Sequence, residues 1–152
     1  MITGNTMTTS TQPALTEGVV TGDVRTMLRI EGFVLFAGMT SLYVVWDGAW
    51  WLYALLFFLP DLSILAYLAG PRVGAVVYNL MHSYMVPSVL TSLGFAIQEP
   101  IILSVAIIWL AHIGFDRALG YGLKYDRGFR FTHLGHIGKA TSGDEPAANV
   151  RS

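Results

Sequence analysis

Four long apolar blocks, separated by links of a few residues, constrain this chain more than any other feature. They run approximately over residues 27–45, 50–69, 73–97 and 100–119. Each approaches the roughly 20 residues that a helix needs, at ~1.5 Å rise, to cross a ~30 Å hydrocarbon layer. The links are Trp46-Asp47-Gly48-Ala49, Gly70-Pro71-Arg72 and Gln98-Glu99, so sequential helices are expected as antiparallel neighbours. Gly70 suits the position just past a helix end, and Pro71 and Pro100 suit helix starts, where a missing N–H costs little. The expected fold is all-α: a four-helix transmembrane bundle, antiparallel up-down. A soluble bundle would have to hide block 50–69, whose one charge is Asp61, and such runs are rare outside membranes.

Composition agrees. Of 152 residues, 53% are hydrophobic and 12% charged, with a mean hydropathy of +0.54. A soluble domain carries about twice that charged share, which excludes an ordinary cytosolic enzyme. There is no cysteine, and this removes disulfide frameworks, thiolate metal sites and cysteine nucleophiles together.

The basic residues are Arg25, Arg29, Arg72, Arg117, Lys124, Arg127, Arg130, Lys139 and Arg151; none lies in the first or third link. With four crossings, the two termini and the middle link share one side, and the positive-inside rule makes that side the cytoplasm. The expected location is the cell inner membrane, multi-pass, with both termini cytoplasmic. The opposite side carries Asp47 and Glu99 beside Trp46, Trp50 and Trp51, which fits an aromatic belt. Residues 1–26, rich in Thr, Gly and Ser, are expected as a disordered cytoplasmic tail, 27–119 as the membrane domain, 120–139 as a cap and 140–152 as a second disordered tail.

Chemistry is confined to a few residues that do not belong in lipid. Asp61 lies eleven residues after Trp50, roughly 16 Å along the second helix and so near the bilayer centre. A carboxylate there costs about 2.5–3.5 kcal/mol on insertion, so it must face the bundle, be protonated or have a partner. Asn79 and His82 share an i, i+3 face of the third helix, and His112 and Asp116 an i, i+4 face of the fourth. Glu31 enters from the cytoplasmic end of the first helix, so all four helices are expected to supply a polar group.

Three readings of this constellation are open. Two His and two Asp suit a divalent metal such as zinc or iron, with His82, His112 and Asp116 as the expected ligands. In dry surroundings the same residue types become proton donors and acceptors usable near neutrality, with Asp61 as the proton-shuttling acid. A hydrogen-bonded network that only fixes helix order is the third. Intramembrane ionisable residues favour function. The leading expectation is acid/base or metal-assisted chemistry on a small lipophilic substrate by Asp61, His82, His112 and Asp116. Asn79, Glu31, Arg117, Thr132 and His133 are expected to bind or orient that substrate. The alternatives are a small carrier or proton-coupled channel, which needs a homo-oligomer with Gly32 and Gly38 on its packing surface, and a purely structural protein.

Two prolines bear on the site. Pro60 directly precedes Asp61, the signature of a helix's first turn, so the second helix can break at Leu59. Pro87 should bend the third helix, because its ring meets the carbonyl of Ser83 one turn back.

After Asp116, basic and aromatic residues alternate as far as His136, and Gly120, Gly122, Gly128, Gly135 and Gly138 argue against a continuous helix. A loop folded onto the cytoplasmic mouth is expected, with Thr132 and His133 reaching the polar cluster. Its basic charge suits anionic headgroups, at about 1 kcal/mol per residue, rather than nucleic acid.

The strings PDLSILAYLAGPRVGAVVYNLMHSY, from Pro60 to Tyr84, and WLAHIGFDRALGYGLKYDRGFRFTHLG, from Trp109 to Gly135, resemble the small bacterial membrane proteins grouped as domain-of-unknown-function family 4260. The resemblance covers about Leu28 to Gly138. It implies a four-helix inner-membrane protein with Asp61, Gly70, Pro71, Asn79, His82, His112, Asp116, Arg117, Thr132 and His133 at motif positions, and it carries no activity with it. A nucleotide-binding glycine loop, a Gly-x-Ser-x-Gly elbow and a His-Glu-x-x-His motif are all missing from the sequence.

Overall fold

A computed structural model describes residues 19–126 and 129–137. Helix α1 spans Gly22–Val45. The second block divides into α2, Trp50–Phe57, and a 3-10 helix, Pro60–Ala69. The third divides into α3, Pro71–Met81, and α4, Met85–Ile97. Helix α5 is Pro100–Leu119, and a short hairpin of β1, Phe131–Thr132, and β2, Gly135–His136, follows. Four segments, Gly22–Val45, Trp50–Ala69, Pro71–Ile97 and Pro100–Leu119, are long and apolar enough to cross a membrane, and they pack as a bundle.

The expected caps hold. Pro71 and Pro100 each occupy the first turn of a helix, and Gly70, at φ 113°, ends the 3-10 helix and opens α3. Helix α1 starts five residues before the expected residue 27. Asp23 sits in its first turn, where a carboxylate complements the helix dipole. Arg29 donates from Nε to the Ala118 carbonyl (2.8 Å), capping the far end of α5. Of the two expected tails, residues 1–18 and all of 140–152 lie outside the described residues, as do 127–128 and 138–139 of the expected cap.

Helix α5 is the centre of the bundle. Half of its apolar window is buried inside the protein, against 11–17% for the other three spans. Helix α1 packs along it most closely, α4 and α2 also lie on it, and the 3-10 helix packs on α3. The consecutive α1 and α2 meet through aromatic rings instead, as in the Tyr43–Tyr53 and Phe36–Phe57 pairs, and through the Thr40–Tyr53 hydroxyl contact (2.7 Å). Close approach of α1 and α5 depends on two glycines. A Cβ on Gly114 would stand 2.6 Å from the Phe36 nitrogen, and one on Gly32 2.7 Å from the Ala118 nitrogen. Gly32 is therefore used inside the chain rather than on the oligomer surface expected for it, whereas Gly38 faces open space.

Both proline-linked breaks occur, and each is stabilised locally. Around Pro60 the chain changes to i→i+3 bonding: Leu59 N–H donates to Leu56 O, Asp61 to Phe58 and Leu62 to Leu59, at 3.1–3.2 Å. Ten residues is long for a 3-10 helix, a form that commonly marks hinges and strained segments. In the third block the chain leaves the helix at His82, one turn before Pro87. The carbonyls freed there take side-chain donors: Ser83 Oγ on Leu80 (3.1 Å), Trp109 Nε1 on Met81 (2.7 Å) and Arg117 Nη2 on His82 (3.1 Å). Non-helical backbone at membrane depth is tolerated when its polar groups are satisfied in this way.

Candidate metal centre

The two breaks and α5 bring four side chains together. Asp61 is the second residue of the 3-10 helix, His82 is the residue at which α3 ends, and His112 and Asp116 lie one turn apart on α5. One ligand atom from each lies within 4.8 Å of all the others. His82 Nε2 is 3.6 Å from Asp61 Oδ1, 3.5 Å from Asp116 Oδ2 and 3.2 Å from His112 Nε2, and His112 Nε2 is 3.7 Å from Asp61 Oδ1. Ligands held 2.0–2.2 Å from a tetrahedral ion stand roughly 3.3–3.6 Å apart; four of the six pairs lie at 3.2–3.7 Å, while His112 and Asp116 stand farther apart, within the 4.8 Å of the set. His82 and His112 are fully buried, Asp116 is nearly so, and Asp61 is 38% exposed.

The tautomer of His82 follows from its other nitrogen. Nδ1 lies 3.0 Å from the Tyr78 carbonyl, and a carbonyl can only accept, so Nδ1 holds the proton. Its Nε2 faces two carboxylates and a second imidazole. Such a convergence of acceptors needs a proton or a cation among them. An imidazole fixed by Nδ1–H to a backbone carbonyl is also the usual outer support of a metal-bound histidine. His112 Nδ1 is buried without a hydrogen-bond partner among the described residues, and its ring packs edge-on against Phe57 (centroids 5.3 Å apart).

Tyr78 supports the group twice. Its hydroxyl donates to Asp116 Oδ2 (3.1 Å), and its ring stacks on His82 with centroids 3.8 Å apart and planes 8° from parallel. Sequence reasoning missed Tyr78, although it precedes His82 by one helical turn. It also missed Lys124. The Lys124 ammonium is buried among the rings of Phe129 (4.1 Å), Tyr78 (4.7 Å) and Tyr121 (5.7 Å), and it has no hydrogen-bond partner among the described residues. Burial pushes the Lys124 amine down to about 8, against the opposing pull of Asp116.

Other expected site residues surround the group without entering it. Asn79 clamps the Lys124 backbone, donating from Nδ2 to its carbonyl (2.8 Å) and accepting its N–H at Oδ1 (2.6 Å). Arg117 is buried and bonds the carbonyls of His82 and Tyr121. Thr132 is also buried, but its hydroxyl donates to Gly135 O (2.6 Å) within the hairpin, which bridges back to Lys124. His133 Nδ1 accepts the Leu123 N–H (2.9 Å), and burial, with Arg117 nearby, pushes its imidazole down. Exposed Glu31 lines a different cavity of about 470 Å3, together with Arg117, Ser83, Tyr84 and His133. The group thus draws on the second, third and fourth spans, and the first contributes no member.

The family model described as Domain of unknown function (DUF4260) matches residues 25–137. The chain belongs to this family. All four members of the Asp/His group, with Tyr78, Arg117 and Lys124, fall inside the DUF4260 region. No curated protein and no solved structure matches the chain.

Proposed function

We propose that Asp61, His82, His112 and Asp116 hold a divalent metal, zinc or iron by donor type, within the membrane, and that this centre acts on a small lipophilic substrate. The observation that carries the reading is the convergence of four ligand atoms within 4.8 Å, with His82 Nε2 turned among them by the Nδ1 contact to the Tyr78 carbonyl. A bound dication would resolve the clustering of acceptors and supply a Lewis acid in a dry site. Asp61 is the one member with substantial exposure, so it is the ligand that a substrate would displace, which would open the coordination position a Lewis acid needs and free a carboxylate to move protons. The four apolar spans make the bilayer the natural source of the substrate. Elemental analysis of detergent-purified protein, wild type against His112→Ala, tests the centre. One metal per wild-type chain, lost in the variant, is expected; two metal-free proteins after growth in metal-replete medium contradict the reading.

The same reading places the protein in the cell inner membrane with both termini cytoplasmic, on the strength of its one-sided Lys and Arg. The basic cap then faces anionic headgroups. Because the chain has no cysteine, single Ala49→Cys and Arg72→Cys substitutions report topology cleanly. Labelling of the first from the cytoplasmic side, or of the second from outside, contradicts it.

A further inference from the structure

We propose that Lys124 anchors an anionic oxygen group, a phosphate or carboxylate, on a ligand that binds together with the metal; this rests on the metal reading above.

The Lys124 ammonium is held in place from several directions. Its backbone is fixed by both Asn79 bonds and by the bridge to Thr132, and only 4% of the residue is exposed. Three aromatic rings surround the charge, yet no oxygen accepts from it among the described residues. Ring faces attract a cation, but they leave its three N–H donors without acceptors. A buried donor left in that state is costly, and a bound acceptor removes the cost.

Charge identifies the acceptor as an anion. The carboxylates that act on Lys124 are Asp116 and Asp61, and both belong to the metal centre. Once they ligate a dication, their negative charge is spent on the metal and Lys124 loses its counter-charge. Arg117, the neighbouring cation, adds to the imbalance, since its hydrogen bonds go to carbonyls. An anionic oxygen beside Lys124 restores the balance, so metal and anion should each strengthen the other's binding. The ring of Tyr78 touches both the ammonium and His82, so the anion site and the metal centre share a wall.

The test uses full-length protein in an uncharged detergent, loaded with cobalt(II), whose visible d–d bands report the metal's surroundings. Inorganic phosphate, dihexanoyl phosphatidic acid and dihexanoyl phosphatidylcholine are titrated separately. A saturable band shift is expected in the wild type. A response to inorganic phosphate identifies a free anion as sufficient, and a response confined to phosphatidic acid identifies a lipid headgroup; either supports the proposal. Lys124→Met should retain cobalt but weaken the anion about tenfold or more, the scale of a lost charged hydrogen bond. Lys124→Arg, which keeps the charge, should weaken it less. Circular dichroism melts check that both variants fold. No shift with any probe, or an unchanged response in Lys124→Met, overturns the proposal while leaving the metal centre standing. A wild type that takes up no cobalt overturns both.

Discussion

His82 and His112 meet Nε2 to Nε2 at 3.2 Å, although they belong to different spans. Their approach is possible because α3 ends at His82, which frees that ring from the helical path and lets it reach across to α5. Tyr78 fixes the ring from one side by stacking and by its carbonyl, and Arg117 holds the His82 carbonyl from the other.

Removing only the Tyr78 hydroxyl should separate support of the metal from support of the fold. Tyr78→Phe keeps the stack on His82 and the ring beside Lys124 but deletes the bond to Asp116. Metal affinity should fall about 10–100-fold, the usual effect of losing an outer-shell partner. Metal titration with a competing chelator measures it, and unchanged affinity contradicts the supporting role.

Near-isosteric changes within the group distinguish a functional site from a structural network. Asp61→Asn and His112→Gln are expected to leave the metal-free melting temperature in detergent within a few degrees of wild type, since residues kept for chemistry are often neutral to stability. Large losses in both, with partial recovery in the double mutant, would instead reveal a mutually dependent structural pair.

Much of this architecture was legible in the residues. Hydrophobic block length specified four spans, Gly70, Pro71 and Pro100 marked their ends, and Pro60 and Pro87 pointed to both breaks. Helical spacing put His112 and Asp116 on one face. What spacing could not supply was cross-helix contact. Asn79 lies on the expected turn, yet it is drawn to the Lys124 backbone because a loop with unpaired peptide groups packs against it. Glu31 was expected to point inward from its depth alone, whereas the rotation of α1 is set by Gly32 meeting α5 and leaves Glu31 exposed. Lys124 reads as a surface charge in sequence because Tyr121 and Phe129 are its neighbours in a polar, glycine-rich stretch, and the ring that closes over it, Tyr78, comes from α3.

The contact between α1 and α5 predicts a sharp contrast among glycines. Gly114→Ala places a methyl group against the backbone of Phe36 and Gly32, so the helices must separate at a cost of roughly 1–3 kcal/mol. Gly38→Ala meets open space and should be neutral or slightly stabilising, as Ala is the better helix former. Melting temperatures of the two variants in detergent check this, and equal effects would contradict the packing.

Burial of Lys124 has a pH signature. Its amine titrates near 8 in the folded protein and ordinarily at 10.5, so between those values the unfolded chain binds more protons and stability rises with pH. Asp116 and Asp61 favour the charged form, whereas burial and Arg117 oppose it. Metal-free Lys124→Met should therefore exceed wild type in stability below pH 8, by roughly 1–3 kcal/mol, and the gap should close toward pH 10.5. Chemical unfolding across that range measures it; a gap that widens with pH contradicts the assignment.

Zinc K-edge X-ray absorption on the reconstituted wild-type protein reads the ligand set itself. A four-coordinate shell at about 2.0–2.2 Å is expected, with the outer-shell scattering of two imidazoles, reduced to one in His82→Ala. A six-coordinate, water-like shell without imidazole scattering, or a spectrum that His82→Ala leaves unchanged, would contradict a metal centre at Asp61, His82, His112 and Asp116.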